Sequence, residues 1–483
     1  MKRKIFNILI LSFVLFVYSC DSEVDSDPSS VYEQTVESYF KSSQDYEDAL
    51  IGAYDPLQWG YLRVQIGDIA SDNSVAGGES ATDVIGLQEI DLMTHYPVNE
   101  NLRTIWRNLY EGVNRCNFIV QNIDKLDFSR KQELLGEVYF LRAYYYAELT
   151  KFWGDIPLFT EARLTADQTG TLTRSSQSDV YIQVETDLLN AIAVLPNTSN
   201  EIGRANKRMA QALLGKVYLY QEKFSESAAM LDEVINSGQY NLVADFASIW
   251  LQSGENNEES IFEIQHTNTS NWYDWSFYQG SEGNFGIIMN GPRAYSGDVY
   301  ATGWSFNIPS QELFDRYNSN DTRRDATILD MNEWIASTGA SYSKGYKDNG
   351  LFNHKYITRA GYSGAQLELN YLNNYRIIRY ADVLLMAAEA YNRGGLGDTK
   401  AQEYLNLVRS RAGLTGITST GGVLTTAIWE ERRLELAFEG HRFFDLVRTG
   451  QASSVIAGFQ VGKNELFPIN NIDAATLGQN PGY

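Results

Sequence analysis

A run of seven residues, Trp272-Tyr273-Asp274-Trp275-Ser276-Phe277-Tyr278, follows Asn268 and Asn271 and concentrates groups suited to one kind of chemistry. Sugar rings present C–H faces that pack on aromatic planes, and their hydroxyls take in-plane hydrogen bonds from amides, carboxylates or guanidinium groups. Asn271, Trp272, Tyr273, Trp275 and Tyr278 supply both kinds of group. Arg293, Tyr295, Tyr300 and Trp304 repeat the combination a short way on. For any single ring, core packing beneath the loops is the competing use; for the cluster, ligand contact is favoured because a loop-rich segment has little helical core to fill. Trp59, beside Gly60 and Tyr61, is a separate candidate. Asp72 and Asn73 can either meet sugar hydroxyls or cap the loop that carries them.

Other chemistries find less support. The four histidines, His95, His266, His354 and His441, lie far apart, and no zinc-binding H-E-x-x-H, G-x-S-x-G elbow or G-x-x-x-x-G-K-[ST] phosphate loop occurs. No catalytic residues, metal or cofactor are therefore expected. Acids near Asp68 and Asp72, or Asp315, Asn320, Asp321 and Asp325, lack the spacing of a calcium loop and read as surface charges. Glycoside hydrolysis needs only two facing carboxylates, so a surface glycosidase stays open as an alternative. Against it, Glu430/Arg433, Arg432/Glu435, Glu439/Arg442 and Arg442/Asp445 stand at i,i+3 spacing, which predicts local salt bridges for these acids.

The elements that must position these groups announce themselves by an internal repeat. Leu134-Leu135-Gly136-Glu137-Val138-Tyr139 returns 79 residues later as Leu213-Leu214-Gly215-Lys216-Val217-Tyr218. Ala210, Leu213, Leu214 and Tyr220 fall 171 residues before Ala381, Leu384, Leu385 and Tyr391. Each of the three has helical apolar spacing and is followed by another helix, over Val180 to Leu195, Ser225 to Asn236 and Ala401 to Arg411. Paired helices of tetratricopeptide type cannot bury their faces alone, so they are expected to stack as a right-handed, solenoid-like scaffold. Further helices are predicted at Tyr46 to Leu57, broken at Asp55-Pro56, at Asn101 to Ile123 and at Thr426 to about Glu439. The stretch from Gly67 to Gly78 reads as a polar loop. Between Tyr240 and Asn373 the period fades into predicted loops and short strands, with a short helix at Gln311 to Tyr317. The fold class is all-α dominated, with long inserted loops.

At 483 residues the chain can bury a large core, and 43% hydrophobic residues supply it. A net charge of -22 opposes a nucleic-acid partner and favours neutral ligands over polyanions. Lys2, Arg3 and Lys4 precede an apolar run, Ile5 to Tyr18, too short to span a bilayer. Val17-Tyr18-Ser19-Cys20 resembles a bacterial lipobox, with Tyr18 bulkier than usual there. Cleavage before Cys20 would leave 39 - 3 = 36 basic residues against 61 acids, a charge of -25. Acyl chains on Cys20 would anchor the protein without a transmembrane helix. Cys116 then has no partner and is expected inside the helix around Asn101 to Asn122.

Three C-terminal segments follow one another: Arg379-Tyr-Ala-Asp-Val-Leu-Leu-Met-Ala-Ala-Glu-Ala390, then Glu431-Arg-Arg-Leu-Glu-Leu-Ala-Phe-Glu-Gly-His-Arg-Phe-Phe-Asp-Leu-Val-Arg448, and a chain end of LFPIN and QNPGY. Together they resemble the signature of the SusD/RagB family of surface glycan-binding lipoproteins, and Leu141 to Leu158 and the Ser71-Asp72-Asn73 loop extend the likeness. The resemblance implies a SusD-like fold, capture of a neutral oligosaccharide or polysaccharide, and delivery to a SusC-like, TonB-dependent outer-membrane transporter during nutrient uptake. It also gives the acidic segment after Cys20 the look of an export signal to the outer-membrane surface. A peptide-binding component of a peptide importer is the alternative within the family. The expected organisation is a signal peptide over 1–19, an anchor and linker over 20–42, and one domain over 43–483. Within it, helix pairs occupy about 130–240 and 371–450, and the ligand face about 241–370.

Overall fold

The computed structural model describes residues 39–164, 166–269, 282–364 and 370–483. The signal segment, Cys20, and the sugar-binding candidates Asn271, Trp272, Tyr273, Trp275 and Tyr278 lie outside the described residues.

Helix α1 (Ser43–Tyr54) opens with a capping box, in which Asp45 N donates to Ser42 Oγ and Ser42 N to Asp45 Oδ2. It yields to a 3-10 turn at Asp55–Leu57, where Pro56 cannot donate. Helix α2 (Tyr61–Ile69) occupies part of the stretch expected as a loop, and the three-residue strand β1 (Ser74–Ala76) another part. Helices α3 (Ile85–Asp91), α4 (Glu100–Asn122) and α5 (Lys131–Trp153) follow, with Cys116 fully buried in α4.

The repeat describes a real stack. Helices α5 and α6 (Gln177–Val194) form one hairpin, and α7 (Lys207–Tyr220) and α8 (Phe224–Ile235) the next. The third is α9 (Tyr380–Arg393) with α10 (Asp398–Arg411). Helix α6 packs on α7, and α8 on α9, so the stack is continuous although about 140 residues separate α8 from α9 in sequence. The recurring glycine has a steric reason. A Cβ on Gly136 would meet Val194 at 2.7 Å, and one on Gly215 would meet Leu231 at 2.6 Å; both glycines let the following helix come close. Ala381, Leu384 and Leu385, in the third copy, are fully buried.

Among the described residues, the long insertion carries short helices and contributes strands to four two-stranded antiparallel ribbons: β1, from the N-terminal region, with β4 (Asn307–Pro309), β2 (Ser260–Ile264) with β8 (Tyr375–Arg379), β3 (Arg293–Ser296) with β6 (Ser341–Ser343), and β5 (Ile328–Asp330) with β7 (Leu351–Asn353). The β2/β8 ribbon lies at the root of the insertion and leads straight into α9. Helices α11 (Gly421–Glu435) and α12 (Arg442–Arg448) follow, then two short helices, Ala452–Val455 and Asn471–Leu477; α11 ends four residues earlier than its periodicity predicts. Among the described residues, no helix is long and apolar enough to cross a membrane.

The i,i+3 ion pairs expected along the C-terminal signature are replaced by long-range ones. Arg432 pairs with Asp382, Arg433 with Glu312 and Asp72, and Glu439 with Lys355 and Arg379. The physical reason is burial: Arg432, Arg433, Glu435 and Glu439 are 0–3% exposed, so each charge is turned towards a neighbouring element. Helix α2 locks onto the same region. Asp68 accepts from the backbone N–H groups of Phe438 (3.1 Å) and Gly440 (3.2 Å), and a Cβ on the adjacent Gly67 would lie 2.2 Å from the Gly440 carbonyl oxygen. Gly67→Ala is therefore expected to destabilise by about 1–3 kcal/mol. Equal melting temperatures for variant and wild type would show that the turn at Gly440 can give way.

Candidate functional site

Three segments of the insertion and the N-terminal region converge beside the β1/β4 ribbon. Gly77 and Gly78 donate to the carbonyls of Phe306 (3.2 Å) and Ser305 (2.8 Å), and Tyr346 donates to that of Gly78 (2.8 Å). A Cβ on Gly77 would stand 2.1 Å from the Ser305 oxygen and one on Gly345 2.5 Å from the Gly78 oxygen, so only glycine permits these approaches. The β3/β6 ribbon, with Arg293 opposite Ser343, joins the same cluster. Of the eight non-glycine residues with positive φ among the described residues, Val84, Ala294, Ser305 and Lys347 fall in these segments. Strained backbone persists where surrounding structure enforces it, and ligand-binding surfaces are a common place for it.

The side chains on this face alternate rings and polar heads. Arg293 Nη1 donates to the Trp304 carbonyl (3.0 Å) and Nη2 reaches Glu79 Oε2 (3.3 Å), while the Glu79 side chain remains 77% exposed. Asp83 accepts from the Glu79 backbone N–H at 2.8 Å and shapes that turn. Tyr295 Oη accepts from Trp334 Nε1 at 2.9 Å, and both rings are half-buried. Beneath them Tyr300 is buried, edge-on to Tyr295 (5.9 Å) and Trp334 (5.0 Å), with its hydroxyl 3.0 Å from His354 Nε2. Tyr346 is half-buried under the Lys347 ammonium at 5.4 Å, and Lys347 is itself tied to Asp91 at 2.5 Å. Half-buried rings beside a guanidinium and a largely exposed carboxylate can take a sugar face and its hydroxyls.

The sequence candidates divide accordingly. Arg293 and Tyr295 stand on the face, and Trp304 is half-buried against Phe285 (5.6 Å) while its carbonyl holds Arg293. Tyr300 supports the face from below. Trp59 is 4% exposed under the Arg115 guanidinium (5.1 Å), which Asp55 and Glu111 hold in turn, so its ring is core. Asp72 accepts from Arg442 (2.7 and 2.9 Å) and pairs with Arg433 (3.1 Å). Burial works against its charge, but Arg442 and Arg433 hold its carboxyl below the usual range. Asn73 is fully buried and accepts from Arg433 Nε at 3.0 Å. These two side chains fasten α11 and α12 to the N-terminal region instead of facing a ligand. Glu79 and Asp83 were not among the sequence candidates; their one signal is the Gly77-Gly78 pair before them. Among the described residues, no group of three or more His, Cys, Asp or Glu side chains could hold a metal ion.

Known proteins share this architecture. A family model described as SusD family matches residues 258–468, and one described as starch-binding associating with outer membrane matches 23–219. A solved structure, a laminarin binding SusD-like protein, is 36% identical, with a TM-score of 0.84 and coverage of 92% of this chain and 100% of that one. The chain belongs to the SusD family. Surface glycan-binding protein A from Bacteroides thetaiotaomicron, solved in complex with laminarihexaose, is another SusD-like neighbour in fold: 32% identical, TM-score 0.82, covering 91% of this chain and 99% of that one. SusD-like protein P25 of Formosa agariphila is 26% identical across 94% of this chain and 91% of its own length. The signature read from the C-terminus lies largely within the first matched region, and the helix-dominated fold expected from the repeat is the SusD-like one.

Proposed function

We propose that this SusD-family protein captures a neutral glycan on its three-segment loop face, without turning it over. The observation that carries the reading is the meeting of Arg293, Glu79, Tyr295, Trp334 and Tyr346 on a backbone held rigid by close glycine contacts and left-handed residues. One structural relative is a laminarin binding SusD-like protein and another was solved in complex with laminarihexaose, which makes that glucan the first ligand to try. The net charge of -22 agrees with an uncharged ligand. Within the same proposal, acyl chains on Cys20 tether residues 20–42 and the domain over 43–483 to the outer face of the outer membrane. There the protein serves a SusC-like, TonB-dependent transporter.

Native affinity electrophoresis in gels containing laminarin, with other neutral glycans alongside, tests the binding. Retardation by at least one neutral glycan is expected, with no release of shorter sugars on incubation. Arg293→Ala should weaken binding by about tenfold or more, the effect of losing a charged hydrogen-bond donor, and Tyr295→Ala should act similarly, with melting temperatures held. Trp272→Ala and Trp275→Ala test the neighbouring aromatic run in the same gels. No retardation by any neutral glycan, or release of shorter sugars, would sink the reading. Cys20→Ser should release the protein from membranes, and co-purification of a transporter with the wild type tests the partnership.

A further inference from the structure

A second place of interest lies between α2, the insertion and the C-terminal signature. Its walls include Leu57, Val64, Ile264, Ile287 and Phe438, with several carboxamides set among them and, among the described residues, no Asp, Glu, Lys or Arg. About 30 Å³ is open to the centre of a water-sized sphere, above the roughly 10–15 Å³ that one water needs and far below the room for a sugar.

Most polar groups of the lining already have protein partners. Gln58 Nε2 donates to the Gln265 carbonyl (2.9 Å) and to Glu282 (3.0 Å). Asn284 donates to the Asn373 carbonyl (2.9 Å) and accepts from Gly286 N (3.0 Å). Asn290 and Asn353 bond each other at 3.2 Å, and each bonds backbone as well. His266 is neutral, burial pushing its pKa down to about 4. What is left over is specific. Gln65 is 2% exposed and neither its Nε2 nor its Oε1 has a partner among the described residues; Asn307 is 1% exposed and its Oδ1 has none among them. An orphaned buried group of this kind is destabilising, and a native fold avoids that by supplying a partner.

We infer that this cavity is a binding site for ordered water, bridging Gln65 of α2 to Asn307 of β4. One NH2 group and two acceptor oxygens are unmatched, and a water molecule can serve all three: two hydrogens for Gln65 Oε1 and Asn307 Oδ1, and a lone pair for one N–H of Gln65 Nε2. A divalent cation would find no carboxylate among the described residues of this lining to offset its charge. Asn307 is also the ladder partner of Ala76, so the water ties α2 to the β1/β4 ribbon that seats the loop face.

A high-resolution crystal structure of the wild-type protein should show density within hydrogen-bond reach of both Gln65 amide atoms and of Asn307 Oδ1. An empty cavity would overturn the inference. Gln65→Met, of similar volume, should lower the melting temperature by a few degrees because it strands the water. A rise would mean the amide is dry and better removed, and would equally overturn it. Melting in sodium, potassium and choline chloride at one ionic strength should agree; stabilisation by a single alkali cation would assign the cavity to that ion and refute water.

Discussion

Replacing Arg379 with methionine is expected to cost the fold about 3–5 kcal/mol, the loss typical when one member of a buried ion pair is removed. The measurement is the urea midpoint, with the slope of the transition unchanged. Arg379 closes β8 at the root of the insertion, and its side chain has no exposed surface. It reaches Glu259, Glu435 Oε1 at 3.0 Å, and both oxygens of Glu439 at 2.7 and 2.8 Å, with its guanidinium 5.2 Å over the Trp250 ring. Burial works against the guanidinium charge, yet Glu439, Glu259 and Glu435 push its pKa well above the ordinary range. Glu435 feels the converse: burial opposes its charge, and Arg411, Arg379 and Arg323 hold it well below the usual carboxylate range.

The size of the effect follows from charge balance. Arg323, Lys355, Arg379, Arg409 and Arg411 meet Asp321, Glu259, Glu431, Glu435 and Glu439, so methionine leaves one carboxylate uncompensated in the interior. Arg316→Met is the control. Its partners Glu312 and Glu430 are 51% and 40% exposed and Arg316 itself 44%, where an ion pair contributes about 0–1 kcal/mol. A wild-type midpoint for Arg379→Met would show that the network rearranges around the gap.

That network also marks where the sequence stops being readable. Ala381, Leu384 and Leu385 declare their helix because a stacked helix buries one stripe, and the stripe repeats in the chain. Glu430 to Asp445 mislead because the i,i+3 rule describes a helix in water. The last turns of α11 are buried, and Arg432 finds Asp382 fifty residues away. Asp72 and Asn73 were open between two uses for the same reason. Their partners, Arg433 and Arg442, stand about 360–370 residues further on, and nothing local announces them. Arg293 and Tyr295 were legible as chemistry but not as a surface, since Glu79 joins them only through ribbons of three or four residues. Strands that short carry too little alternation to be told from loops.

Stability should fall as the pH is lowered from 6.5 towards 5, and histidines account for it. Burial, helped by the Lys463 charge, pushes the His95 pKa down to about 4. Its Nε2 sits 2.8 Å from Tyr483 Oη, and its ring packs on Phe467 at 5.2 Å. His441 is pushed well below its ordinary value by burial and then by Lys216 and Arg432. For a group depressed in this way, stability is complete above about 6.5, the unfolded value, and is lost as the pH drops, because the unfolded chain takes a proton that the fold refuses. Each such histidine contributes a slope of about 1.4 kcal/mol per pH unit between its two pKa values. His266 and His354, also lowered to about 4 by burial, keep part of their surface exposed and add less. Asp68 opposes them: burial pushes its carboxyl up to about 7, so the fold holds a proton that the unfolded chain releases, and stability gains as the pH falls from 7. Two buried histidines against one aspartate leave a net uptake of about one proton on unfolding near pH 5.5. Urea midpoints at pH 7, 6 and 5 measure that slope, and His95→Phe should reduce it by about one proton. A profile that stays flat or rises towards pH 5 would mean that Asp68 outweighs the histidines, or that His95 and His441 take up their protons within the native structure.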